Sequence, residues 1–265
     1  MKLLLAGALA IALSGGAQAA LVAHYSFDET SGTTAHDSAG AVNGTLQGGA
    51  SFAAGAGIAG GAVQLDRAAN GLVNMGDNFG FTSGSGSVEV WVRLNPGESA
   101  GTIPVGKHFA TFVAGYFLAI NDVGDGCGAS GRAHFYAAYP CSGLSSILVN
   151  DGAWHQLVGV YDNAAHTAAL YVDGQFQSVS GGGNTISATP ASFLVGGITV
   201  GGAPTGFYSG LVDELRIYDN ALSAAEVLAD YTSTLAVPEP TLLALLGAGL
   251  GLLGCAARRR RELAT

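Results

Sequence analysis

The stretch Gly210-Leu211-Val212-Asp213-Glu214-Leu215-Arg216-Ile217-Tyr218-Asp219 reads as one strand, and Asn220-Ala221-Leu222-Ser223-Ala224-Ala225-Glu226-Val227 continues it as a turn and a short helix. Unbroken alternation puts Leu211, Asp213, Leu215 and Ile217 on one side and Val212, Glu214, Arg216 and Tyr218 on the other. Asp213 is then a carboxylate among aliphatics, which marks it as a candidate ligand. Ser223 and Glu226 have the spacing of a capping box, which satisfies free N–H groups where a helix begins.

The clearest alternation elsewhere in the chain is Val88, Val90, Val92 and Leu94 against Glu89, Trp91 and Arg93, so this strand turns one face to a core and the other to polar surroundings. Further strands are expected over residues 21–27, 62–66, 71–75, 112–120, 133–138, 154–161, 167–172, 176–179 and 192–195. Asp173-Gly174 between two of these runs is a hairpin signal. Many short strands with one terminal helical turn predict an all-β fold of two packed antiparallel sheets.

The two ends read differently from the body. Lys2, the apolar run Leu3 to Leu13 and Ala17-Gln18-Ala19 form the pattern of a secretory signal peptide, residues 1–19. At the other end, residues 236–265, Val237-Pro238-Glu239-Pro240 precede an apolar run from Thr241 to Ala257 and the cluster Arg258 to Arg261. At about 17 residues this run meets the short limit for a membrane span, and the arginines hold its far end on the cytoplasmic side. Residues 20–235 are expected to form one large domain. The net charge is −9, and Lys2 and the four terminal arginines are among only ten Lys and Arg, so the body is more acidic still and repels nucleic acid.

Of three cysteines, Cys255 lies in the apolar tail, leaving Cys127 and Cys141 as a pair in an exported body where oxidation is allowed. Bonded, they would close a loop of about 15 residues, worth roughly 3 kcal/mol. A zinc site is the alternative, for which no histidine nearby in the sequence completes a ligand set.

Several segments together resemble the LamG-like jellyroll family, with the concanavalin A-like lectin/glucanase fold. They are Tyr25-Ser26-Phe27-Asp28-Glu29, Asp37-Ser38-Ala39-Gly40, Asn43-Gly44-Thr45, Gly60 to Asp66, Val88-Glu89-Val90-Trp91-Val92, Trp154 to Val158, Leu170 to Gly174 and Val212 to Tyr218. The resemblance implies a structural calcium ion. Asp28, Asn43 and Asp213 are its candidate ligands, brought together by pairing of the first and last strands. The tail is similar to a PEP-CTERM sorting signal, with Pro238, Glu239 and Pro240 as its motif. That similarity implies an exosortase-type processing peptidase and delivery to the envelope, surface or extracellular matrix of a Gram-negative bacterium, with transient or retained inner-membrane anchoring.

Catalytic patterns are thin. The strand around Glu89 has no second acid in register, Asp213 and Glu214 point to opposite faces, and no Gly-x-Ser-x-Gly elbow occurs. Tyr136 and Tyr139, in a loop braced by the cysteine pair, and Trp91 are the candidate platforms for a sugar ring. The expected function is an exported, non-catalytic module binding a polysaccharide or matrix polymer. A structural matrix protein without a discrete ligand and a glycoside hydrolase of the same fold are the alternatives.

Overall fold

In the computed structural model of the chain, residues 19–82, 84–109, 115–121, 123–137, 141–181 and 185–236 are described. The expected signal peptide up to Gln18, the tail from Val237 with Pro238, Glu239 and Pro240, and Tyr139 lie outside these residues. Among the described residues no helix is long and apolar enough to cross a membrane.

The strands are β1 (Leu21–Tyr25), β2 (Thr34–Ala35), β3 (Gly44–Gln47), β4 (Ser51–Ala53), β5 (Ala62–Leu65), β6 (Leu72–Asn74), β7 (Gly86–Leu94), β8 (Thr102–His108) and β9 (Gly115–Ile120). They continue as β10 (Ala133–Ala137), β11 (His155–Asp162), β12 (Thr167–Val172), β13 (Gln175–Ser180), β14 (Leu194–Val195), β15 (Ile198–Val200), β16 (Ala203–Thr205) and β17 (Gly210–Tyr218), followed by the helix α1 (Ala224–Leu235). A first sheet runs β13-β12-β11-β7-β17-β5-β4, with β1 also on β17, and a second runs β10-β9-β8-β14-β6-β3-β2. Both are antiparallel, and β15 and β16 form a separate hairpin. Val88, Val90, Val92 and Leu94 face Val105, Leu118, Phe135 and Val195 of the second sheet across one core. Each such side chain contributes about 1.5–3 kcal/mol when fully buried.

The last strand departs from unbroken alternation. Val212, Leu215 and Ile217 all lie in the main core. Three positions separate the first two because the pairing with β7 shifts between Asp213 and Arg216, and Glu214 sits at φ 47°. This bulge re-aims everything upstream of it by one residue. The expected grouping of Leu211 and Asp213 with Leu215 and Ile217 is thereby corrected.

Strand β8 escaped the periodicity because Pro104, Gly106 and Lys107 interrupt it. Its pairing with β9 shifts between Thr102 and Val105, where the proline falls, so no ladder donor is needed there. Lys107, 3% exposed, donates from Nζ to Ala191 O at 2.6 Å and to Asp77 Oδ1 at 2.5 Å. The capping box of α1 forms from Ser223 and Glu226, and the helix lays Val227 against Val158, Val160, Tyr171 and Tyr218 on the outer face of the first sheet.

Candidate functional site

The second sheet carries a groove on the face turned away from the core. Phe117 of β9 and Tyr136 of β10 are register partners, so their rings stack at 4.7 Å and 4°. The His108 ring meets both edge-on, at 5.3 and 5.4 Å. The β15–β16 hairpin forms the opposite wall through Ile198, Val200 and Thr205. Its close approach depends on Gly106, where a Cβ would stand 2.6 Å from Ile198 Cγ2. Arg67, Phe207 and Asp125 complete a cavity of about 570 Å³.

The groove's polar groups have defined states. Burial raises the Asp125 carboxyl, but the His134 hydrogen bond at 2.7 Å, its charge and the Cys127 N–H outweigh this and hold the pKa below the ordinary value. Burial pushes the His108 pKa down more than Asp125 raises it, so the imidazole is neutral at neutral pH. Among the described residues, Arg67 Nε and Nη2 have no hydrogen-bond partner, and Glu98 Oε1 stands 3.8 Å from Nη2.

Cys127 and Cys141 are disulfide-bonded with Cα atoms 6.5 Å apart, tying the loop after β9 to the chain beyond β10 beside this groove. The fold also brings ligand atoms of Asp125, Cys127 and Cys141 within 4.8 Å of one another and sets His134 on Asp125. His134 lies between the two cysteines in the sequence, so the expectation that no histidine stood nearby is corrected. With the sulfurs bonded to each other they are not thiolate ligands for zinc.

The expected calcium ligands are not brought to one point. Asp213, 0% exposed, accepts from Ile58 and Ala59 N–H at 2.9 and 3.2 Å and from Glu214 N–H at 2.7 Å. Asp28 accepts from Gly61 N–H at 2.6 Å, so both carboxyls fasten the same loop of residues 57–61. Asn43 instead accepts from the Asp37 N–H at 3.1 Å, in a turn whose centre is the Asp37 carboxylate. Asp28 and Asp213 keep free acceptor sites at one loop, but Asn43 is engaged in a different turn, so the three are not gathered as a single calcium set.

A second polar cluster lies beneath α1. Arg216 of β17 donates to Glu89 Oε1 at 2.9 Å and also pairs with Glu214, while Gln156 donates to Glu89 at 2.9 Å and His24 meets Glu214 at 2.9 Å. Two acids thus share a site because β17 supplies the second across the sheet, while the strand of Glu89 itself carries no second acid and the register partner of Glu89 is Arg216. Both are tied to one guanidinium and covered, and no catalytic role is assigned to them. Trp91, expected to offer its face outward, is corrected to a covered position: it is 1% exposed and stacks on Tyr231 of α1 at 5.5 Å and 8°.

Burial raises Glu89 to about 7 and Asp213 to about 8. A carboxyl that holds its proton more tightly folded than unfolded adds stability below its unfolded pKa, and that stability is lost as pH rises through the folded value. The thermal midpoint is therefore expected to be higher at about pH 6 than at about pH 9. Glu89→Gln should shrink the difference, and a midpoint that rises with pH across this window would contradict the assignment. Asp125 and Glu214, whose values are depressed, act at lower pH.

Sequence reasoning named Tyr136 but missed Arg67, His108, Phe117, Asp125 and the hairpin wall. The available signal was the alternation of β9 and β10, which puts Phe117 and Tyr136 on one face once their register is known. Nothing in the sequence links Arg67 to residues 40 or more positions away.

The two antiparallel sheets form a jellyroll sandwich, a fold shared by binding modules and some glycoside hydrolases. The chain belongs to the concanavalin A-like lectin/glucanases superfamily, whose family profile matches residues 59–228. A PEP-CTERM protein-sorting motif matches residues 236–261, which indicates an exported protein and implies exosortase-mediated processing. No protein of curated function matches the chain.

Among solved structures, the chain is similar to domain 4 of AbnA, a GH43 extracellular arabinanase from Geobacillus stearothermophilus solved with arabinotriose. That likeness has 23% identity, covers 80% of this chain and 98% of that one, and has a TM-score of 0.56. It is also similar to the binding domain of Paraclostridial Mosquitocidal Protein 1 (12% identity, 80% and 52% covered, TM-score 0.53) and to the botulinum neurotoxin type G receptor binding domain (14%, 80% and 51%, 0.54). It spans about half the length of these two toxin domains. At such identities the likeness shows the fold.

Proposed function

We propose that the protein is an exported, non-catalytic module that binds a polysaccharide or extracellular matrix polymer in the groove of Phe117, Tyr136 and Arg67. The observation that carries the reading is the stacked aromatic pair at the floor of a cavity of about 570 Å³, with a guanidinium, a carboxylate and a neutral imidazole at its sides. Phe117 and Tyr136, 3% and 4% exposed and stacked on each other, line the cleft as a closed apolar floor rather than as open platforms, and a mostly apolar cleft with a few placed polar groups suits the apolar patches and hydroxyls of a sugar. The sugar-bound arabinanase domain supports this choice of ligand class, and the sorting motif supports an extracellular polymer as partner.

A glycan array probed with and without calcium tests the reading. Binding to at least one polysaccharide class is expected, and Arg67→Ala should weaken it about tenfold, the factor a lost charge-assisted hydrogen bond represents. No binding to any glycan, in calcium or in chelator, would leave the structural matrix protein as the better account.

A further inference from the structure

We propose that the outer face of the first sheet holds a second saccharide site, which α1 keeps covered, with Trp91 as platform and Glu89, Gln156 and Arg216 as polar floor. It rests on the carbohydrate-binding reading for the class of ligand alone. The four residues come from the adjacent central strands β11, β7 and β17. Gln156 is the register partner of Trp91, and Arg216 that of Glu89.

Two atoms of this cluster are left over by its own hydrogen bonds. Glu89 Oε2 and Trp91 Nε1 are buried and, among the described residues, without a partner, although their side chains are 0% and 1% exposed. One is an acceptor and the other a donor, which is the pair that a sugar hydroxyl satisfies. A face evolved only to pack against a helix has no use for either, since an unpaired buried polar group is costly.

The cover itself takes the place of a ring. Tyr231 lies flat on Trp91 with centroids 5.5 Å apart and planes 8° apart, the disposition of a sugar face on an indole. Thr234, one turn further on, receives a hydrogen bond from Arg216 at 3.2 Å. The cover is slight: α1 has 12 residues, and Leu228 and Leu235 on it are 49% and 50% exposed. An isolated helix of this length is marginal, so its position depends on its contacts with the sheet: the packing of Val227, the Tyr218 Oη hydrogen bond to Asp230 at 2.8 Å and the Tyr231 stack. It leads directly into the sorting motif at residues 236–261, so the cover is joined to the segment on which processing acts.

The test uses the full chain with Trp154→Phe, which leaves Trp91 as the sole tryptophan. Acrylamide quenching and titration with arabinotriose, cellotetraose and laminaritetraose are read from Trp91 fluorescence, before and after adding Tyr231→Ala. The substitution is expected to raise the quenching of Trp91 and to tighten at least one oligosaccharide about tenfold. Adding Glu89→Gln should remove that gain. Should Tyr231→Ala impair folding, Tyr231→Leu keeps the apolar cover without the stack and is expected to tighten binding in the same direction. Trp91 becoming quenchable with no gain in affinity, or staying shielded in both folded variants, overturns the inference. In either case binding that is weakened by Arg67→Ala leaves the groove reading standing, and absence of binding by every form, here and on the glycan array, ends both.

Discussion

Asp213→Ala is expected to lower stability by about 3 kcal/mol or more, because three buried backbone N–H groups lose their acceptor at roughly 1–3 kcal/mol each. For a domain of this size that corresponds to a fall of about 10 °C in the thermal midpoint. At about pH 6 the carboxyl is protonated, its pKa being raised to about 8 by burial, so no buried charge is relieved to offset the loss. Asp213→Asn keeps one oxygen for Ile58 and Ala59 but turns its amide group toward the Glu214 N–H, and should cost about 1 kcal/mol. Since the carboxyl fastens a loop, the Asp213→Ala loss should be equal in calcium and in chelator. Calorimetry that finds the loss only in calcium would restore Asp213 as a metal ligand.

Trp91→Ala is expected to cost about 3–5 kcal/mol, the range for deleting a buried indole. The ring is 1% exposed, so its removal leaves a void between β7 and α1 and strips Tyr231 of its stack. Denaturant unfolding should show a lowered midpoint. Because Trp91 and Tyr231 touch, Trp91→Ala combined with Tyr231→Ala should cost less than the sum of the two. A cost under about 1 kcal/mol would mean the ring contributes no packing.

Much of the sandwich was legible because its strands announce themselves by composition and period. Val88 to Leu94 alternates without interruption, and its aliphatic half is the half found in the core. Asp173-Gly174 takes φ values of 52° and 71°, the backbone that the dipeptide favours in a two-residue hairpin. First and last strands do pair, β1 against β17.

What stayed hidden has physical causes. Alternation assumes a period of two, and the bulge at Glu214 breaks it without any glycine to mark the place. Strand β8 hides behind a proline and a lysine whose partners, Asp77 and Ala191, are distant in sequence. The groove depends on register between β9 and β10 and on a hairpin folded over Gly106, neither of which a linear reading supplies. The separation of Asn43 from the other two expected calcium ligands has a similar reason. Proximity of strands puts Asp28 and Asp213 near one loop, but the direction of Asn43 was set by its own turn.

The most direct test of the account is hydrogen–deuterium exchange of the protein with and without the best ligand from the glycan array. Protection is expected in Thr102–His108, Gly115–Ile120 and Ala133–Ala137 and in the hairpin of Ile198–Val200 and Ala203–Thr205, the segments that line the groove. A bound glycan that protects none of these segments would contradict the assignment of the site.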